Sequence, residues 1–210
     1  MSTYPLLSLA IWIPIFAGLV VLTTGGDRNA PLARMISLVG AVAAFLITIP
    51  LWVGFDVANG GMQFVELGSW IPRFNINYHL GVDGISMLFV VLNAFITIIV
   101  VAAGWEVIQN KVAQYNAAFL IMSGLMNGIF TSLDGVLFYV FFEASLIPLY
   151  LIIGVWGGPN RVYAAFKFFL YTLFGSLLFL IALMYLFIQS GGSFSILEWH
   201  KLPIALGPKI

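Results

Sequence analysis

Apolar residues run along this chain in six blocks, and polar residues collect in the gaps between them. The blocks fall at 6–23, 32–55, 85–105, 117–133, 135–156 and 164–189. A spanning helix needs about 20 mostly apolar residues, so the pattern predicts about six transmembrane helices. The gaps hold most of the charge and the turn formers, as in "TTGGDRNAP", "FDVANGG", "EVIQNK", "LDG" and "GGPNR". One gap has a pattern of its own. In "SWIPRFNINYHLG", Phe74, Ile76 and Tyr78 alternate with Arg73, Asn75, Asn77 and His79. That period of two predicts a half-buried strand, pairing with "QFVEL" as a short hairpin on the membrane surface. The tail, 190–210, mixes glycine and proline with Trp199 and Lys201 and predicts an interfacial segment. The expected fold class is an all-α polytopic membrane protein with a short β-hairpin between spans two and three.

Composition agrees. The chain has 210 residues, 62% of them hydrophobic and 8% charged, whereas a soluble domain carries roughly a quarter charged residues. Eight basic and eight acidic residues cancel, so nothing in the charge balance points to nucleic acid. The absence of cysteine excludes disulfides, iron–sulfur ligation and thiol catalysis by this chain. His79 and His200 stand apart as poor metal candidates, and no glycine-rich phosphate loop follows a strand, so no metal or nucleotide site is expected. "MSTYPLLSLAIWIPIFAGLV" has no basic leader or cleavage signature and reads as a retained first span. Loops one–two, three–four and five–six hold Arg28, Arg34, Lys111, Arg161 and, at the membrane edge, Lys167. The other side holds Arg73, Lys201 and Lys209. This bias places the N-terminus outside the cytoplasm.

The fifth block contains an acid. In "FFEASLIPLY" Glu143 lies eight residues into a predicted span beginning at Gly135, about 12 Å deep at 1.5 Å per residue. A central acid costs about 2.5–3.5 kcal/mol to insert, and each Leu, Ile, Phe or Val returns about 0.3–0.6 kcal/mol. The thirteen such residues in 135–156 outweigh it, so the helix inserts with its carboxyl in place. Tyr139 and Tyr150 fall on the same helical face. Pro148 has no N–H, so the carbonyl of Ala144 loses its usual donor beside the carboxylate. Burial disfavours the charged form of such a group and a nearby cation favours it, which suits a group that loads and unloads protons. A glutamate that stays protonated and hydrogen-bonded to a neighbouring helix is the other reading.

Lys167 is the second candidate, flanked by Tyr163 and Tyr171 at four-residue spacing. It reads either as a relay group or as a lysine that snorkels to the interface. Straight helices would offset it from Glu143 by roughly 10 Å along the normal, which disfavours a direct ion pair and leaves a water-linked relay. Asp83 and Asp134 are expected to cap the third and fifth spans. Glu66, Glu106 and Glu198 read as solvated.

Two stretches carry a resemblance. "FFEASLIPLYLIIGVWGG", with the following "NRVYAAFKFFLYTLFGSLLFLIAL", and the earlier "LGVDGISMLFVVL" resemble the M-type subunit family of proton-translocating NADH:quinone oxidoreductase, respiratory complex I. Its mitochondrial counterpart is subunit 4, and it belongs to the antiporter-like superfamily that includes Mrp antiporter subunits. The match covers most of 70–187. It implies a non-redox subunit of a translocase, seated in the bacterial cytoplasmic (inner) membrane among other membrane-arm subunits. NAD, flavin, iron–sulfur clusters and quinone would belong to other parts of the complex, with no cofactor in this chain.

The resemblance places Glu143 on the family's fifth-span glutamate of the proton path and Lys167 on a sixth-span lysine. It divides the chain into three N-terminal helices with an outer loop (1–112), the first three helices of the proton-channel repeat (113–189) and a tail (190–210). Family members are more than twice as long, and the cation that tunes the glutamate is expected on a seventh helix outside this sequence. An Mrp-type sodium/proton antiporter subunit, or an incomplete fragment that does not pump, stay open as alternatives.

Overall fold

A computed structural model describes residues 4–25 and 27–202. Six long helices form the body: α1 (Leu6–Thr23), α2 (Ala30–Val53), α3 (Gly84–Val107), α4 (Val112–Thr131), α5 (Gly135–Trp156) and α6 (Arg161–Gln189). Strands β1 (Gln63–Ile71) and β2 (Ile76–Val82) stand between α2 and α3, and a short α7 (Ile196–Trp199) follows α6. Five of the long helices are long and apolar enough to cross a membrane; α4 is the exception. Gln114, Asn116, Ser123 and Asn127 lower its apolarity.

The packing explains why α4 can be polar. It sits at the centre, against α1, α2, α3 and α5, and eleven of its twenty residues are buried. Polar groups there meet other helices rather than lipid, which is where intramembrane polar side chains are tolerated. It also begins five residues before the predicted block, because Gln114–Asn116 looks like loop in sequence but lies within the helix, where Asn116 is buried. At the other extreme, α6 packs chiefly on α5 and buries only Ala165, Ser176 and Leu183.

The hairpin forms, with a different turn from the one the alternation suggests. Ser69, Trp70 and Ile71 belong to β1, the chain reverses through a turn at Pro72–Phe74, and Asn75 takes a left-handed φ of 55°. Phe74 is therefore exposed on the turn, while Ile76 and Leu80 of β2 point into the core. The sheet register pairs Glu66 with Leu80 and Ser69 with Asn77.

Carboxylates fasten helix starts at both ends of the bundle, where four backbone N–H groups otherwise lack partners. Asp83 caps α3 in a reciprocal box: its Oδ1 accepts from Ile85 N–H at 3.1 Å and Ser86 N–H at 2.7 Å, and Ser86 Oγ accepts from Asp83 N–H. At the far end, the Asp27 carboxylate accepts from Lys111 and Val112 N–H at 3.1 and 3.0 Å, capping α4 from a distant loop. Glu66, expected to be solvated, instead reaches from β1 to α1. It accepts from the Leu7 N–H at 2.7 Å, the Ser8 N–H and the Ser8 hydroxyl.

The Ser86 N–H, helped by the Ser86 hydroxyl and the Ile85 N–H, holds the Asp83 carboxyl below its ordinary 3.8 against an opposing push from burial. The cap therefore contributes fully above 3.8 and is lost as pH falls through the lower folded value. Amide exchange should show it: protection at Ile85 and Ser86, corrected for intrinsic rate, drops in that acid window. An Asp83→Asn variant should not show the drop.

Residues 190–202 fold back onto the hairpin end of α5. Gly135 N–H donates to Phe194 O at 2.8 Å and Ile196 N–H to Leu133 O at 2.9 Å. The Trp199 ring lies against Gly135, where no side chain would fit. The rest of the predicted tail, 203–210 with Lys209, lies outside the described residues.

Candidate functional site around Glu143

Helix α5 runs without interruption over Gly135–Trp156, the same bounds that the apolar pattern predicts. Asp134 begins it. Its Oδ1 accepts from Val136 and Leu137 N–H at 2.9 and 3.2 Å, while Oδ2 accepts from Asn77 N–H of β2 at 3.0 Å. The predicted cap is thus also a cross-link between hairpin and helix, and it is 2% exposed. Burial pushes the Asp134 carboxyl up, while the three N–H groups and His79 pull it down. His79, read from sequence as isolated, is half-buried on β2 near this carboxyl; burial lowers it and Asp134 raises it.

With these groups placed, the carboxylates sort themselves. Asp27, Glu66, Asp83 and Asp134 cap helices. Asp56 closes a turn by accepting from Ala58 N–H, and Glu106 and Glu198 are exposed. Glu143 alone among the described carboxylates has a buried oxygen, Oε1, with no hydrogen-bond partner. An unpaired buried acceptor at this depth carries a desolvation cost with nothing to offset it. Intramembrane acids held at such cost are usually functional.

The predicted supporting residues divide into two groups. Tyr139, one turn before Glu143, has its ring stacked on Phe179 of α6 at 6.4 Å. Its hydroxyl lies beside Glu143 and Ser176, while Oε1 of Glu143 receives no hydrogen bond. Tyr150 packs edge-on against Phe169 of α6 at 5.6 Å. Pro148 is buried within α5, and no side chain among the described residues donates to the Ala144 carbonyl that it deprives of a partner. The two tyrosines face α6 with their rings.

Lys167 and Tyr171 stand elsewhere. Lys167 is exposed, with Nζ 5.9 Å from the Tyr163 ring and 6.0 Å from the Tyr171 ring, an arrangement that favours a cation between two aromatic faces. The structure does not bring it to Glu143. Between α5 and α6 lies an open cleft of about 360 Å³, lined by Phe138, Phe142, Thr172, Gly175, Ser176 and Phe179 but not by Glu143. The Thr172 and Ser176 hydroxyls in it donate to carbonyls of their own helix, Phe168 and Leu173.

Sequence reading missed the glycine that seats α5. A Cβ on Gly128 of α4 would fall 2.6 Å from the Phe141 ring, so that ring lies directly on the α4 backbone two residues before Glu143. The signal was present as "GLMNG", a small-xxx-small spacing from Gly124 to Gly128 that allows close helix approach in membranes.

Known proteins match this geometry. A family model described as NADH-ubiquinone oxidoreductase chain 4, amino terminus, matches residues 30–131. A second, described as NADH:quinone oxidoreductase/Mrp antiporter, TM, matches residues 132–203. NADH-quinone oxidoreductase subunit M of Rhodobacter capsulatus is 48% identical over 192 residues, covering 89% of this chain and 36% of its own length. NADH-ubiquinone oxidoreductase chain 4 of Arabidopsis thaliana is 43% identical, covering 88% of this chain and 37% of its own length. The chain therefore spans rather more than a third of these curated relatives.

Among solved structures, respiratory complex I from Thermus thermophilus superposes with a TM-score of 0.80 at 29% identity, over 94% of this chain and 39% of that one. The Mrp complex from Dietzia shares the fold at 18% identity with a TM-score of 0.75, over 89% of this chain and 20% of that one. A polytopic membrane protein by its helices, this chain belongs to the NADH-quinone oxidoreductase subunit M/chain 4 family.

Proposed function

We propose that this chain forms part of the membrane arm of a proton-translocating NADH:quinone oxidoreductase, and that Glu143 is its proton-loading group. The observation that carries the reading is the buried Glu143 Oε1 with no donor, in a chain whose other buried carboxylates are all paired. Apolar surroundings disfavour the charged form of a carboxyl in general. A cation or water file brought against it favours release of the proton, and withdrawal favours uptake. The open carbonyl of Ala144 and the hydroxyl of Tyr139 give such water a place to bind.

The chain's own residues supply the acid and its apolar enclosure. Residues 113–189 form the proton-channel portion and 1–112 the flanking three helices. Lys167, exposed on α6 between Tyr163 and Tyr171, is a second charged group, linked to Glu143 through water rather than by an ion pair. Redox chemistry, with NAD, flavin, iron–sulfur clusters and quinone, belongs to partner subunits. The hairpin end, with the N-terminus, faces the periplasm of a bacterial cytoplasmic membrane. Relatives at 40–48% identity carry NADH-quinone oxidoreductase names, which favours this reading over an Mrp-type antiporter. The test is Glu143→Gln in the complete complex, with proton pumping driven by NADH as the readout. Severe loss is expected, and near-normal coupled turnover would refute the role.

A further inference from the structure

Helices α1, α3 and α4 meet at one buried carboxamide. Pro14 lies inside α1 and has no N–H, so the carbonyl of Ala10, four residues earlier, lacks its helical donor. Asn127 of α4, 1% exposed, supplies it: Nδ2 donates to Ala10 O at 2.9 Å. Its Oδ1 accepts from Asn93 Nδ2 of α3 at 2.8 Å, and the same Asn93 nitrogen donates to Ser123 O at 2.9 Å. Thr97 Oγ1 donates to Asn93 O and lies 2.8 Å from Ser123 Oγ.

The direction of this chain is forced. The carbonyls of Ala10 and Ser123 can only accept, so both amide nitrogens must point at them, and Asn127 Oδ1 is left to receive Asn93. Nothing in the network titrates near neutral pH, and the key donors are used. It is suited to holding helices in place rather than to moving protons.

On either side of Asn127 the backbone of α4 touches its neighbours without side chains between. Gly124 lies against the Ile11 carbonyl of α1, and Gly128 carries the Phe141 ring of α5. We infer that Asn127 is a positioning residue for Glu143. It fixes the rotation and depth of α4 against α1 and α3, and Gly128 passes that setting to α5 through Phe141, two residues from the acid. This inference rests on the reading of Glu143 as the titrating group.

Pro14 supplies a specific test. Asn127→Leu removes the donor to Ala10, and Pro14→Ala in the same background restores a helical N–H to that carbonyl. Both are made in the complete complex, with paired cysteines placed in α4 and α5 of this otherwise cysteine-free chain to report the distance between them. Asn127→Leu is expected to shift or broaden that distance, alter the pH profile of coupled turnover, and lower turnover about tenfold, as misplacement of a reacting group does. Adding Pro14→Ala should recover much of all three readouts. Gly128→Ala, which leaves the amides intact, should reproduce the distance change.

Two results would overturn the inference. One is an unchanged α4–α5 distance and pH profile in Asn127→Leu, even with lower thermal stability. The other is no recovery on adding Pro14→Ala. Normal coupled turnover in Glu143→Gln would instead overturn only the titrating-group reading, because the distance measurement judges the clamp by itself.

Discussion

Glu143→Gln is expected to reduce NADH-driven proton pumping at least about tenfold, in line with the loss of a positioned acid–base group, while the complex assembles normally. The substitution keeps the side chain's shape and removes only its ability to exchange a proton. It should also ease insertion, since a central acid costs about 2.5–3.5 kcal/mol in a spanning helix. No partner is lost at Oε1, which has none among the described residues, and a glutamine can still hydrogen-bond the Tyr139 hydroxyl beside it. A purely structural glutamate would therefore tolerate glutamine. Glu143→Asp, which keeps the carboxyl but draws it back by one methylene, should retain part of the pumping. Pumping measured in inverted vesicles, beside the assembled fraction, separates the outcomes. Full pumping by the glutamine variant at normal assembly would sink the proton-loading role.

The second large effect is expected at Gly124, where α4 lies directly against the backbone of α1. A side chain there would overlap the Ile11 carbonyl oxygen and fall 2.5 Å from Ile15 Cγ1. The obstacle includes backbone, so rotamer changes cannot clear it. Gly124→Val must push α1 and α4 apart, which costs about 1–3 kcal/mol as overpacking. Separation also stretches the Asn127–Ala10 hydrogen bond, one of a class worth about 0.6 kcal/mol on average and up to about 1.7 in membranes. Together these approach a sizeable share of typical net stability, about 5–15 kcal/mol. The expected result is a sharp fall in membrane yield and a lower unfolding midpoint in detergent. Wild-type yield with an unchanged midpoint would show that the helices are not held this closely.

Much of the architecture was written locally. The α5 bounds follow from Asp134 before the helix and Gly157 after it, signals within a few residues of the ends they mark. Asp83 and Ser86 likewise form their box across three residues. Glu143 was legible for the same reason: a carboxylate amid Phe, Leu and Ile is an anomaly of composition, visible without coordinates.

Other features depend on partners distant in the chain. Glu66 looked solvated because its partners, Leu7 and Ser8, are nearly sixty residues away. The start of α4 looked like loop because the polar Asn116 suits a spanning helix only where the bundle buries it. Asn127 passed without notice, since its meaning lies in an α1 carbonyl 117 residues earlier.

Hydrophobic periodicity, capping residues and one misplaced acid were enough to point to a bundle of membrane helices, a short hairpin and a candidate proton group, because each arises from interactions among near neighbours and from the cost of moving side chains into lipid. Tertiary packing decided which polar groups would be paired. It gave donors to Glu66, Asp134 and the Ala10 carbonyl, and it left Glu143 Oε1 without one. Backbone and side-chain hydrogen bonds act over about 3 Å, and only the folded bundle sets which groups come that close.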